Sequence, residues 1–430
     1  MSSSALSIAA SALRAHSYAV ETTSNNVANA ATPGYRRQRV ELRAAYPRQG
    51  ALGWMGAGVE VSKITRATDR LGDLRVRGTA SNASFFGERA ELMTQVEDVF
   101  GEPDHGVSTA LTQMWTTFST WAVNPSDDAS RNQVLSRLQG TADRINQVRG
   151  GLEQLAADAG ERLSGDVADA NAMLSKLVEI NRFSRDQNGL PADIADQRDI
   201  MLDTLAQTIG AVASVDDNGQ VRVTLNGLAL VDGDRATPLQ YAAGPPPTIT
   251  HPSGPVTLGG TAGGLQVGIT SDLADTRAQL DSFVAGFISA LNTVHAGGFT
   301  PSGSAGGPLL AESAGRVSVV VSAPGDLAAA DVAGQPLNGR TADALAQLRG
   351  SQGDALRSLV SAMSGKVAGV KSSADTAHAL ADNASQQRDA SVGVNVDEEM
   401  TELMSQQRAY QAAARLVSVV DEMLQTLIGM

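Results

Sequence analysis

At both ends of the chain, mainly apolar side chains recur every seven residues, which is the spacing of a helix that packs against another helix. Near the start, the repeat consists of Leu6, Leu13, Val20 and Val27. Because seven residues make nearly two helical turns, these side chains lie on one face. Near the end, two interleaved repeats form a wider stripe, made of Leu403, Tyr410, Val417 and Leu424 together with Gln406, Ala413, Val420 and Leu427. The pattern predicts two terminal helices that pack on each other.

Two interpretations of this pairing stay open. In the first, the terminal helices form an intramolecular hairpin that only closes a domain; in the second, helix pairs from many copies bundle side by side. Polymerisation is favoured because Leu416 and Met423 widen the stripe beyond what one slender helix covers. It is also favoured by the Ser- and Ala-rich start, since an isolated helix of that composition is marginal in water. The predicted assembly interface is Leu6, Leu13, Val20, Val27, Leu403, Tyr410, Val417, Val420, Leu424 and Leu427.

Between the ends, helical periodicity predominates and β patterns interrupt it. In residues 36–64, apolar and polar residues alternate as in β-strands on both sides of a glycine-rich loop. Asn226-Gly227 stands between two further stretches of such alternation, which predicts a β-hairpin. Residues 296–340 are rich in Gly, Ala, Ser and Pro, which predicts a small, loosely specified surface lobe. Helical patterns cover about 69–100, 107–121, 126–148, 161–185, 200–205, 280–291 and the chain from 342 onward, apart from an interruption at Gly393.

This order predicts a mainly α protein with β insertions and several domains. The terminal helices pair as a coiled-coil core domain, a helical bundle forms the middle domain, and a β-rich domain lies outermost. The predicted boundaries are 1–35 plus 395–430 for the core domain, 36–205 plus 271–297 plus 341–394 for the middle domain, 206–270 for the β-rich domain and 298–340 for the surface lobe.

Charge is distributed unevenly along the chain. The whole chain has 33 Lys/Arg against 46 Asp/Glu, a net charge of −13. Residues 1–80 hold 11 Lys/Arg against 5 Asp/Glu, or +6, which leaves 22 against 41, or −19, for the rest. An acidic chain disfavours nucleic acid or an anionic membrane as the main partner. We therefore expect the basic cluster to contact acidic neighbouring subunits; it comprises Arg36, Arg37, Arg39, Arg43 and Arg48.

The sequence offers little for catalysis or metal binding. Cysteine is absent, which excludes disulfides and thiolate chemistry, and the five histidines share no metal-ligand spacing. The run from Asp216 to Gly219 is favoured as a tight turn over a calcium loop, because no bidentate Glu follows at the required spacing. We expect no enzyme activity, cofactor or metal. Without a basic n-region or a long apolar run, we also expect no cleaved signal peptide and no membrane insertion.

Several segments resemble one family. The run SNNVANAATPGYRRQRVEL at 24–42 resembles the N-terminal signature of bacterial axial flagellar proteins, and the final SVGVNVDEEMTELMSQQRAYQAAARLVSVVDEMLQTL resembles their closing helix. The segment LPADIADQRDIMLDTLAQTIGAVASVDDNGQVRVTLNGLALVDG at 190–233 is similar to hook-associated members rather than to hook or rod proteins. The residues that carry the resemblance are Asn25, Asn26, Asn29, Pro33, Gly34, Tyr35, Asp196, Gln197, Arg198 and Asp199.

The resemblance implies a structural subunit that joins the flagellar hook to the filament and polymerises through its terminal helices. It implies export through the flagellar type III apparatus, an extracellular location on the flagellum, and a reduced or missing additional outer domain near 296–340. The implied partners are further copies in a ring or helical layer, the hook protein, a second junction protein (hook-associated protein 3) and an export chaperone that covers the C-terminal region. Another axial subunit of hook or rod type, and a cytoplasmic coiled-coil scaffold, are the alternatives.

Overall fold

The computed structural model describes the backbone of residues 2–50, 53–187 and 189–429 and, within these ranges, the side chains other than those of residues 2, 3, 50, 427 and 428. Helices dominate. Their bounds are α1 Ser2–Ala28, α2 Arg70–Phe100, α3 Val107–Val123, α4 Asp128–Gln187, α5 Ala192–Ile209, α6 Gly260–Val267, α7 Ala274–Ala296, α8 Arg340–Gln347, α9 Arg349–Val392 and α10 Val396–Ile428. A π-helical turn, Gly268–Leu273, joins α6 to α7, and a 3₁₀ turn covers Pro324–Asp326.

Short antiparallel sheets fill the gaps between the helices. Two of them, β1–β4 and β2–β3, form one long hairpin, and β5 to β8 follow each other as a meander. The strands are β1 Gln38–Ala44, β2 Arg48–Gly50, β3 Gly53–Met55, β4 Val59–Arg66, β5 Val212–Val215, β6 Val221–Leu225, β7 Leu228–Asp232, β8 Arg235–Ala236, β9 Gln240–Ala242, β10 Thr248–His251, β11 Gly254–Pro255, β12 Leu310–Ser313 and β13 Arg316–Val319.

The predicted fold class is confirmed. The terminal helices α1 and α10 pack on each other, with β1 and β4 along α1, and α2 to α9 with β5 to β13 form a separate body around one large apolar core. The predicted hairpin is also present, because β6 and β7 are joined by Asn226 and Gly227 with φ of 51° and 83°. Positive φ at both positions gives the turn a twist that matches the two strands.

One prediction about the helices was wrong. The stretches at 126–148 and 161–185 belong to a single 60-residue helix, α4. One of the glycines between them, Gly151, allows close packing rather than ending the helix: a Cβ there would lie 2.7 Å from Val99 Cγ1 of α2. A glycine inside a helical pattern commonly marks such a close approach.

The segment from 298 to 340 is more firmly packed than its composition suggests. Leu309, Leu310 and Leu327 are buried in the core that the helices share. Polar side chains of α4 hold its backbone: Arg131 Nη1 donates to Leu327 O at 2.8 Å, and Asn146 Nδ2 donates to Val317 O at 2.8 Å. The expectation of a loosely specified lobe fails because these long-range bonds are invisible in local composition.

Candidate assembly surface and the charged network at its base

The fully buried apolar side chains of the helix pair, among those described, are small. On α1 they are Ala9, Ala15 and Ala19, and on α10 they are Ala413 and Val420. Each alanine removes far less apolar area from water than a leucine would, so the gain in free energy per contact is small. The leucines and methionines among the described side chains of the pair stay half-buried or exposed.

Two hydrogen bonds between polar side chains fix the direction of the pair. His16 Nδ1 lies 2.7 Å from Gln406 Oε1, and Asn26 Nδ2 donates to Glu399 Oε2 at 2.8 Å. Because the α1 number falls as the α10 number rises, the helices are antiparallel. A slip of the alanine-rich seam would break both bonds, so they also define the register.

The predicted interface residues lie in this seam or at its edges. Val420 is buried, Leu6 and Tyr410 are exposed, and the side chain of Leu427 lies outside the described residues. The remaining six are half-buried: Leu13, Val20, Val27, Leu403, Val417 and Leu424. Their role in contacts between subunits stays a prediction.

Other large apolar side chains of the pair face away from the seam. On α10 they form what we call the outward face, and some belong to the widening of the stripe that the sequence indicates. Its members are Met400, Met404, Leu416, Val419 and Met423. On α1, Ile8 and Tyr18 are likewise exposed. Exposed apolar surface of this extent along paired helices is typical of a protein–protein contact.

At the base of the pair, the structure brings together two sequence motifs that are about 160 residues apart. Arg36, from the N-terminal motif, donates two hydrogen bonds to Asp73 of α2, at 2.6 and 2.9 Å. Arg36 also lies 3.3 Å from Asp199, from the second motif on α5. The charged network that includes these contacts consists of Arg36, Arg66, Arg77, Arg198, Arg388, Asp73, Asp196, Asp199 and Asp203.

Asp199 is the centre of the charged network. Its carboxylate lies 2.7 Å from Arg198 and 2.9 Å from Arg66, in addition to Arg36. Burial alone would raise the pKa of Asp199, but these guanidinium groups outweigh burial and lower the pKa below its ordinary value. For Asp196, burial prevails over the attraction of Arg66 and raises the pKa. Of these two carboxylates, Asp199 is therefore the one whose ionised form the neighbouring guanidinium groups favour.

A second polar cluster, which we call the polar lock, ties the charged network to the helix pair. Tyr35 Oη donates to Asn26 Oδ1 at 2.8 Å, and Asn26 Nδ2 donates to both Gln38 O and Glu399 Oε2 at 2.8 Å. Arg37 Nε lies 2.5 Å from Glu399 Oε1. Burial, with the negative charges of Asp196 and Glu399, raises the pKa of Tyr35 to about 12, so its hydroxyl stays protonated.

The other motif residues shape the bend after α1. Asn29 Nδ2 donates to Asn25 O at 3.0 Å, beyond which Pro33 and Gly34 turn the chain. Gly34 has φ of 78°, and a Cβ there would lie 2.7 Å from the Ile200 side chain. Only glycine fits this position without strain. Gln197, by contrast, is exposed.

Most arginines of the basic cluster form ion pairs within the chain. Arg36 and Arg37 pair with acidic residues of the two clusters just described, and Arg43 pairs with Glu60 across the long hairpin at 2.6 Å. The expected contact with acidic neighbours is therefore left, among the described residues, to Arg39 and Arg48. Sequence reasoning missed the acidic partners, although Arg66 and Asp73 lie in GAGVEVSKITRATDRLGDLRVR at 56–77, a further segment that resembles the axial flagellar family.

The described residues contain no cluster of His, Cys, Asp or Glu that could hold a metal ion. Within that same part of the chain, none of the helices has the length and apolar character needed to cross a membrane. His295 is buried, with Nδ1 at 2.6 Å from Gly307 O and Nε2 accepting from Ala328 N at 2.8 Å. Both ring nitrogens thus brace α7 against the following segment.

Comparison with known proteins agrees with this architecture. The family model for the flagellar hook-associated protein FlgK helical domain matches residues 93–310. The model for the flagellar basal body rod FlgEFG protein C-terminal region matches 385–430, and that for the flagella basal body rod protein matches 6–36.

Individual flagellar hook-associated proteins are similar to this chain over half of its length or more. Flagellar hook-associated protein 1 of Bacillus subtilis (strain 168) is 27% identical over 99% of this chain and 97% of its own length. Its counterpart in Salmonella typhimurium is 29% identical over 71% of this chain, which spans 58% of that protein. Among solved structures, the flagellar hook junction protein FlgK from Burkholderia pseudomallei is 25% identical with a TM-score of 0.51, covering 55% of this chain and 46% of that one.

Proposed function

This chain belongs to the flagellar hook-associated protein FlgK family of structural flagellar subunits, and we propose that it forms the junction between hook and filament by assembling through its paired terminal helices. As a member of this family it is a component of the bacterial flagellum that assembles with other axial components. The family is not an enzyme family.

The observation that carries the proposal is the outward face of α10. A single partner helix, α1, covers one side of α10 and leaves Met400, Met404 and Leu416 exposed. Burying a large apolar side chain completely contributes about 1.5–3 kcal/mol. Side-by-side contact with further helix pairs would supply that burial, whereas a hairpin that merely closed a domain would leave it unused.

We further infer which partners the chain contacts and how it is exported. Copies of the chain form a ring or helical layer between the hook protein and hook-associated protein 3. Before export through the flagellar type III apparatus, a chaperone would cover the outward face of α10. The polar lock supports this arrangement because it ties the helix pair, through Asn26 and Glu399, to the segment that carries Arg36 of the charged network.

The proposal is tested by placing a charge in the half-buried edge of the seam. Leu424→Asp should leave the body folded but reduce the amount of the protein in purified hook–basal bodies at least about tenfold, since one lost apolar contact of 1.4 kcal/mol already corresponds to that factor. The matched control is Gln425→Asp at the neighbouring exposed position. Normal incorporation of Leu424→Asp would contradict the proposal, and wild-type protein retained in the cytosol would favour a cytoplasmic scaffold.

A further inference from the structure

The long hairpin of residues 38–66, which we call the arm, ends in an unusual patch. The chain has three tryptophans, and two of them are buried in the body. The third, Trp54, is 70% exposed, beside Tyr46 at 80% and Met55 at 48%. Large aromatic side chains are costly to leave in water and frequently anchor protein contacts. We call these three residues the tip patch.

The arm holds the tip patch in a defined place along α1. Near the tip, Val59 N donates to Ser11 Oγ at 3.2 Å. At Gly58, which has φ of 97°, an added Cβ would lie 3.3 Å from Ile8 Cα. At the base, Gln38 is bonded to Asn26 of the polar lock. The arm therefore runs back along α1, where Gly58 lies beside Ile8, and the tip patch lies beyond Gly58 at the outer end of the arm.

A second apolar surface lies on α10, at about the same level along the axis of the helix pair. Leu416, Val419 and Met423 are spaced at i, i+3 and i+7, so they share one flank of the helix, and each is 50–52% exposed. Extrapolation of the antiparallel pairing from the Asn26–Glu399 and His16–Gln406 bonds puts Ile8 beside about residues 411–416 of α10. We call the three residues the α10 stripe.

Within one molecule, helix α1 packs against α10 and also against β1 and β4 of the arm, and the tip patch and the α10 stripe both stay largely exposed. One subunit thus presents two different apolar surfaces at about the same level along the helix pair. Contacts between unlike surfaces of identical subunits generate rings or helical assemblies, whereas contacts between like surfaces stop at a dimer.

We propose that the tip patch of one copy docks on the α10 stripe of the adjacent copy. This inference rests on the proposed function, since it requires helix pairs that stand side by side. Trp54 and Tyr46 supply rigid aromatic area, and Met423 supplies an adaptable thioether that contacts aromatic rings favourably. The arm then acts as a lateral clasp, and the outward face of α10 gains a cover that α1 does not provide.

The absence of cysteine from the chain allows a direct test. The double variant Trp54→Cys with Val419→Cys is produced as the sole source of this protein, and purified hook–basal bodies are oxidised. We expect non-reducing electrophoresis to show a ladder of dimers, trimers and larger species that collapses on reduction. The matched control, Trp54→Cys with Gln425→Cys, moves the second thiol about 120° around α10 and should give at least a fivefold weaker ladder.

Both the inference and the proposed function can fail separately in this experiment. Double-variant protein that is present in the particles but gives no ladder, or no more ladder than the control, overturns the docking of the tip patch and leaves the proposed function standing. Wild-type protein absent from the particles overturns the proposed function. If Trp54→Cys blocks incorporation, Tyr46→Cys with Val419→Cys is the second pair, and its ladder decides in the same way.

Discussion

The body and the terminal helix pair bury their side chains to very different extents. In α3, the large side chains Trp115, Phe118 and Trp121 are all buried in the shared core. In α10, which is almost twice as long, the buried members among the described side chains are Glu399, Ala413 and Val420. The body therefore has a complete core in one molecule. The terminal pair leaves much of its apolar surface exposed, as expected if further helices cover it in the proposed assembly.

The difference separates two tasks. A subunit that must be folded on its own and then join a lattice needs one part whose stability does not depend on neighbours. It needs another part whose apolar surface is satisfied only on assembly. The charged network and the polar lock connect these parts with directional contacts, because apolar packing at the base would not fix the angle between the pair and the body.

The largest expected effect comes from breaking the connection between the two regions. Asp199→Asn keeps the shape of the side chain but leaves Arg36, Arg66 and Arg198 without their central anion in a buried site. Removing one partner from buried ion pairs typically costs about 3–5 kcal/mol. Urea unfolding of the isolated chain should show this loss as a lower midpoint. Asp354→Asn, which removes the partner of exposed Arg357, is the control and should change the midpoint little.

Retention of wild-type stability by Asp199→Asn would mean that the charged network is dispensable for the body. The terminal pair would then be positioned by its linkers and the polar lock alone.

A smaller effect is expected from pH, and it should be confined to the body. Burial lowers the pKa of His295, so the folded state keeps the ring neutral while the unfolded chain binds a proton below about 6.5. The unfolded state then binds more protons, so the free energy of unfolding decreases as pH falls from about 6.5 toward the folded pKa, by at most about 1.4 kcal/mol per pH unit. Unfolding midpoints at pH 7.5 and 5.5 measure this slope.

His295→Gln should remove that part of the pH dependence, while His378→Gln at an exposed position should preserve it. Equal slopes for the two variants would show that protonation of His295 is not what weakens the body in acid.

Sequence periodicity and turn residues predict most of the helices, the β6–β7 hairpin and the pairing of the chain ends. These features depend on spacing and on local turn chemistry, which a single sequence displays directly. The continuity of α4 and the firm packing of 298–340 were not predictable in the same way. They depend on Val99 meeting Gly151 and on Asn146 reaching Val317, and such partners become visible only in the folded chain.

The candidate site was predictable in part. The two family motifs indicated important positions, but nothing in their spacing showed that Arg36 and Asp199 are neighbours. A seven-residue repeat predicts the seam residues, because it marks the side of a helix that faces a partner helix. The tip patch lies on a hairpin arm where no repeat exists, so its exposure is visible only in the folded chain.

The smallest effect on stability, and the sharpest contrast with the body, is expected at Leu416. Its side chain is half exposed in the single chain, so Leu416→Gln, which keeps good helix propensity, should change the free energy of unfolding of the isolated chain by less than about 0.5 kcal/mol. The same substitution should nevertheless reduce incorporation into hook–basal bodies, because in the assembly it places an amide in a dry contact. A loss of stability above about 1.5 kcal/mol in the isolated chain would show that Leu416 is already covered there, and the contrast between body and terminal pair would no longer hold at this position.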